Sequence, residues 1–258
     1  MNANGLLSES PLAFFVLVFA LSIPFWLIGG LTRIELLPGL PVSSLMTVCP
    51  LIAALILVSQ RSGGAGMIEL LKRSFDAGRI GTAAWYVPMI LLMPVLMALS
   101  YGVMRLMGTP VPGPQFTLLA PLGLFVMFFV GALGEELGWS GYVIDLLQAR
   151  WSALGASLLL GVVWASWHIV PYMQAGRSAG WIAWQVFASV ALRVLMVWLY
   201  NNTGHSVFAA TMLHAIYNVS WQLFPVNGSY YDPRITGLIF AGTAALVVII
   251  WGPRTFTR

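Results

Sequence analysis

The stretch Phe125-Val-Met-Phe-Phe-Val-Gly-Ala-Leu-Gly134 runs straight into Glu135-Glu136 and continues as Leu137-Gly138-Trp139-Ser140-Gly141-Tyr142. The apolar part belongs to a run at 119–147 that has the length and composition of a membrane span, so two carboxylates sit where hydrocarbon would otherwise surround them. A charged side chain at the centre of a spanning helix costs at least about 2.5–3.5 kcal/mol on insertion scales, and it persists only when it faces the bundle interior, is paired or meets water. Adjacent helical residues point about 100° apart. One carboxylate can therefore face a cavity while its neighbour bonds to another helix.

Outward from this segment the chain keeps the same character. Of 258 residues, 59% are hydrophobic and 8% charged, whereas a soluble domain carries about 25% charged residues. A soluble globular domain is excluded. Apolar runs of spanning length fall at 11–31, 43–60, 84–105, 119–147, 153–173, 180–200, 205–224 and 235–252, each near the 20 or so residues a helix needs to cross. These predict an all-α polytopic membrane bundle of about eight transmembrane helices. It forms a single integral membrane domain, 1–258, with its motif-bearing core at about 119–224.

Between the second and third spans, Met67, Ile68, Leu70, Leu71 and Phe75 share a helical face opposite Glu69, Lys72, Arg73 and Asp76, which predicts an interfacial helix. Met1 to Pro11 lacks a positive n-region, so the first span reads as retained.

The net charge of +4, from 12 Lys+Arg against 8 Asp+Glu, is spread over short loops. Nucleic acid is not an expected partner, because phosphate binding needs a concentrated basic patch. With the N-terminus inside, the inner loops and tail hold Arg61, Lys72, Arg73, Arg79, Arg150, Arg254 and Arg258, and the outer loops hold Arg33, Arg105, Arg177 and Arg234. Seven against four places both termini in the cytoplasm, with the plasma membrane as the expected location. Trp85, Tyr86, Trp181 and Trp251 read as interface anchors, and the single cysteine, Cys49, as a small core residue.

Two further spans carry polar residues at helical spacing. Trp164-Ala-Ser-Trp-His168 sets an indole and an imidazole on one face, and His214-Ala-Ile-Tyr-Asn218 does the same for an imidazole and an amide. If the fourth and fifth spans form a hairpin turning near Arg150–Ser152, Glu135 and His168 both lie roughly 24 Å from the turn. His214 reaches that depth if the hairpin protrudes about 10 Å beyond the 201–204 loop. Each feature also has a plain structural reading. Asn218 serves equally as a bridge between membrane helices. His205, beside Gly204, reads as interfacial, and Trp139, Trp164 and Trp167 as packing.

These residues together resemble the CAAX prenyl endopeptidase and bacteriocin-processing family of glutamate-dependent intramembrane proteases. The resemblance covers roughly 124–221. The family pattern is Glu-Glu-x-x-x-Arg, Phe-x-x-x-His and His-x-x-x-Asn on successive helices, matched in order by Glu135-Glu136, Trp164-x-x-x-His168 and His214-x-x-x-Asn218. By that resemblance Glu135 activates water with help from His168, His214 and Asn218 stabilise the oxyanion, and Glu136 is auxiliary.

Two positions depart from the pattern. Trp164 replaces Phe, and Ser140 stands where the family has Arg. A hydroxyl cannot supply the guanidinium's charge or fork, and Arg193, within the sixth span, is the candidate replacement. The expected substrate is a membrane-tethered peptide or protein within the lipid bilayer, cut without a cofactor. A zinc site built on His168, His214 and a Glu is the lesser enzyme reading, since no His-Glu-x-x-His occurs. A proton-coupled transporter and a catalytically inactive scaffold are the alternatives outside enzymology.

Overall fold

A computed structural model describes residues 10–115, 117 and 119–258. The reading of Met1–Pro11 as a retained segment rests on residues 1–9, outside the described residues. Helix α1 (Pro11–Thr32) is followed by a small antiparallel hairpin, β1 (Glu35–Leu37) with β2 (Leu40–Pro41), and a 3-10 segment Val42–Val48. Then come α2 (Cys49–Lys72), α3 (Tyr86–Leu106), α4 (Ala120–Gly138), a π-helical turn Trp139–Val143 and α5 (Ile144–Gln148). The chain closes with α6 (Ala153–Trp167), α7 (Ile169–Gln174), α8 (Ala179–Asn202), α9 (Val207–Gln222) and α10 (Pro233–Trp251). Helix starts obey the local sequence: Ser152, Ser178 and Ser206 accept the N–H groups of Gly155, Trp181 and Ala209 at 3.1, 3.3 and 3.1 Å.

The all-α membrane bundle is as expected, with one difference in its count. Seven helical stretches among the described residues are long and apolar enough to cross a membrane. The expected span at 205–224 is α9, only 16 residues long. None of its residues is exposed, because α3, α4 and α8 enclose it. A helix packed among others with no exposed residue needs neither bilayer length nor a lipid-compatible face, and so it can carry Thr211, His214 and Asn218. Hydropathy counts apolar residues but does not tell whether lipid or protein covers them. The second half of helix α8 is equally internal: every residue from 191 to 201 is buried, between α6 on one side and α10 on the other.

Lipid-compatible surface lies elsewhere, with Leu12, Val16 and Leu27 on α1, Val87 and Leu91 on α3 and Ile249 on α10 all exposed. The amphipathic segment after the second span also takes shape. Helix α2 bends at Gly63 (φ 59°, ψ −155°), a backbone conformation that favours glycine. Beyond the bend Leu70 is buried, while Ile68, Leu71 and Phe75 remain exposed beside the Glu69–Lys72 ion pair. Cys49 is fully buried, as expected of a core residue.

The loops gather into two ends. At one end Arg73 donates to the carbonyls of Gly141 and His205, Asp76 accepts from Ser206 and from the first N–H groups of α9, and Gln148 bonds to Asn201. The tail belongs there too. Asn201 and Asn202 donate to the carbonyls of Thr255 and Phe256, and those of Arg254 and Pro253 accept from the start of α6. At the opposite end Gln115 donates to the Pro225 carbonyl, Gln174 donates to that of Trp26, and the hairpin turn at Gly39 lies against Arg177.

Candidate active site

The glutamate pair is held by close helix contact. Glycines bracket it in Gly134-Glu-Glu-Leu-Gly138, and they let α4 touch the backbone leading into α2. A Cβ added at Gly134 would lie 2.8 Å from the Thr47 carbonyl oxygen, and one at Gly138 would lie 2.5 Å from that of Pro50. Small residues four apart are a common device for such approach between membrane helices. Because backbone blocks the added methyl, Gly138→Ala is expected to cost about 1–3 kcal/mol of stability through overpacking. It should lower activity in the molecules that still fold. Thermal unfolding in detergent, run beside a cleavage assay, checks both.

The two carboxylates separate as their 100° offset requires. Glu135, 2% exposed, borders an internal cavity of about 500 Å3, and its Oε2 accepts from the indole N–H of Trp164 at 2.7 Å. Glu136, fully buried, turns into the bundle. Its Oε1 meets His214 Nδ1 at 3.0 Å and its Oε2 meets Arg193 Nη1 at 3.0 Å, while the Ser140 hydroxyl donates to Oε2 as well. Ser140 can do so from within the π turn, where the Ile144 N–H reaches back to the Trp139 carbonyl.

Arg193 thus sits beside the glutamate pair from a different helix. Its guanidinium also lies 4.2 Å over the face of Trp164, a cation–π geometry. The Nε and Nη2 atoms find no partner among the described atoms.

Both imidazoles border the same cavity. His168 stands at the break between α6 and α7, with Nδ1 2.8 Å from the Trp164 carbonyl. A carbonyl only accepts, so Nδ1 carries the hydrogen and Nε2 of the neutral ring keeps its lone pair. His214 is placed the same way by the Glu136 carboxylate. Asn218, one turn further along α9, lines the cavity as well. Trp164 is central, with ring centroids 5.2 Å from His168 and 5.3 Å from His214.

Glu135, His168, His214 and Asn218 therefore share one cavity, and Glu136 stands behind it. His205 does not join them. It is exposed at the far end, 3.1 Å from Asp145. The hairpin reasoning needs a correction: α6 packs chiefly along α8, where Gly161 meets the backbone of Val190, and the long Trp164 side chain is what reaches Glu135. Trp139 and Trp167 do pack, edge to face at 5.7 Å, but the reading of Trp164 as packing missed its hydrogen bond. The signal for it was an indole N–H where the motif has a ring without a donor. Trp181, read as an interface anchor, lines the cavity and stacks under Arg177 at 4.9 Å. Among the described residues no three His, Cys, Asp or Glu side chains are grouped to hold a metal ion.

Comparison with known proteins agrees with the motifs. Residues 116–220 match the family model described as type II CAAX prenyl endopeptidase Rce1-like. A protein of Methanococcus maripaludis named CAAX prenyl protease 2 is 26% identical, over 93% of each chain. The resemblance read from the three motifs is borne out.

Proposed function

We propose that this chain is an intramembrane endopeptidase that hydrolyses a peptide bond in a membrane-tethered protein or peptide, using water activated by Glu135. The observation that carries the reading is Glu135 itself, a buried carboxylate bordering a cavity with one oxygen held by Trp164 and both imidazoles on the same cavity. The free oxygen of Glu135 takes a proton from water as the water oxygen attacks the scissile carbonyl, with the lone pair of His168 Nε2 assisting. Negative charge then develops on the carbonyl oxygen. The Asn218 amide and His214 are the groups that meet it, a contribution of several kcal/mol when donors are already in place. The proton taken from water passes to the departing amine as the C–N bond breaks, which regenerates the carboxylate.

Glu136 does not touch the cavity in this scheme. It orients His214 and is held in turn by Arg193 and Ser140. No cofactor enters the scheme. A prenylated peptide ending in Cys-aliphatic-aliphatic-X is the first substrate to try, since the archaeal relative is named for that class.

The test is cleavage of prenylated and unprenylated membrane-tethered peptides by purified protein in lipid. A defined product resistant to chelators supports the reading, whereas chelator sensitivity restored by zinc would promote the zinc alternative. Flux coupled to a pH gradient without cleavage would favour the transporter.

Trp164→Phe tests the Glu135 contact alone, because the ring stays and only its N–H is lost. A hydrogen bond to a charged group is worth about 1.5–3 kcal/mol. The variant is therefore expected to lose about tenfold or more in kcat, with KM little changed.

A further inference from the structure

Along α8, Trp181, Gln185 and Ser189 stand four residues apart and all line the cavity. One step further in is Arg193, bonded to Glu136, and one step further out is Arg177, which borders the cavity immediately before the Ser178 cap of the helix. Four residues rise about 6 Å along a helix. The row therefore leads from the glutamate pair outward to the hairpin, whose Leu36 and Gly39 line the cavity with Arg177.

Three polar groups in this row are unused. The half-buried Arg177 guanidinium lies 4.9 Å over the Trp181 ring and close under the hairpin turn, where a Cβ added at Gly39 would come within 3.1 Å of Nη2. Among the described residues no acidic side chain pairs with it. Trp181 Nε1 and Gln185 Oε1 are buried and bond to nothing among the described atoms, although the Gln185 amide donates from its other end to the Tyr217 hydroxyl at 3.1 Å. Buried donors and acceptors are nearly always satisfied, so idle ones beside an idle cation point to a ligand that completes them.

That ligand has the chemistry of a peptide's end. A carboxylate matches the planar fork of a guanidinium, takes the indole N–H, and gains from the positive start of α8 close by. The Gln185 oxygen is left to accept an N–H of the same backbone. The distance also fits. His168 is 5.9 Å from Tyr172, Tyr172 is 5.3 Å from Trp181, and Arg177 is 4.9 Å from Trp181. An extended chain covers about 3.3–3.6 Å per residue, so roughly three or four residues reach from a carbonyl beside His168 to the guanidinium. We infer that Arg177, together with the Trp181 N–H, binds the free α-carboxylate at the C-terminus of the substrate. The inference rests on the endopeptidase reading for the word substrate, while the carboxylate site itself does not depend on cleavage.

One lipid-tethered peptide, prepared with a free C-terminal carboxylate and as the C-terminal amide, tests this with purified protein in lipid. Wild type is expected to cleave the carboxylate form with kcat/KM at least about tenfold above the amide, the scale of a hydrogen bond to a charged group. In Arg177→Gln the preference should fall to about twofold or less, through loss on the carboxylate form alone. Arg177→Lys should restore part of it, as a point charge without the fork. A wild type indifferent to amidation overturns the inference. So does an Arg177→Gln protein that slows on both forms alike, the mark of a guanidinium that merely holds the loop. Binding separates this from the endopeptidase reading. In the Glu135→Gln background a fluorescent version of the carboxylate peptide should bind at least about tenfold tighter than its amide, and adding Arg177→Gln should remove the difference; equal binding of the two forms overturns the inference. Carboxylate-selective binding with no cleavage of either form by folded wild type would sink the endopeptidase reading and leave the carboxylate site standing. Cleavage of both forms at one rate would do the reverse.

Discussion

Glu135→Gln, purified in lipid, is expected to cut a membrane-tethered peptide at least about 1,000-fold more slowly than wild type, within the range that loss of a positioned general base produces. The amide keeps the shape of the carboxylate and can still accept from the Trp164 N–H, so the Trp164 contact survives and the base does not. Substrate affinity should change little, since Glu135 acts on water rather than on the bound chain. The variant should also unfold at nearly the wild-type temperature. It removes a buried charge whose own oxygen is bonded to an indole and not to Arg193, so no opposite charge is left without its partner. Equal rates in the two proteins would take Glu135 out of the role of base. A silent wild type, with both proteins folded, would favour the scaffold or transporter readings.

Arg193→Ala is expected to damage folding as well as catalysis. The guanidinium and Glu136 are both fully buried and 3.0 Å apart. Breaking such a pair leaves an uncompensated charge at a cost of about 3–5 kcal/mol. The loss also frees the face of Trp164 and weakens the hold on His214, so turnover in the surviving fold should drop by about 100-fold, the scale of a displaced catalytic group. Returning the cation to the position where the motif has it provides the control. In Ser140→Arg combined with Arg193→Ala, the new guanidinium starts from a residue whose hydroxyl already bonds to Glu136 and enters space that Arg193 has vacated. Partial recovery of both the unfolding temperature and kcat is expected. A double variant no better than Arg193→Ala would mean that the charge cannot be supplied from the π turn. A folded Arg193→Ala with wild-type kcat would end the positioning role.

The membrane-bundle class was legible because apolar runs of spanning length have few other uses, and the site was legible because His, Glu and Asn at depth need a reason. What the sequence did not show was which surfaces face lipid. Helix α9 reads like any other span by composition, although its neighbours leave none of its residues exposed. The contact between Arg193 and Glu136 joins residues 57 positions apart. It could be suggested by the missing cation at Ser140, but not located. The part played by Trp164 was hidden because a tryptophan in an apolar helix is usually packing, and only the placement of its N–H against Glu135 distinguishes the two. The course of α6 along α8 turned on Gly161, one of many glycines that sequence alone does not rank.

The π turn at Trp139–Val143 bears on how this helix tolerates insertions and deletions. A π turn holds one residue more than an α-helical path of the same length needs, and each residue added or removed rotates the downstream helix by about 100°. Upstream of it the phase is fixed by Gly134 and Gly138 against the second span. Downstream it is fixed by Asp145 and Gln148, which bond to Tyr200 and Asn201. Deleting a single residue here would leave a regular helix with both sets of contacts still in register, whereas a deletion on either side of the turn would rotate one set away from its partners. In an alignment with a relative whose helix is regular, the one-residue gap belongs within these five positions, and a gap placed anywhere between Gly134 and Gly138 would misassign the glutamates.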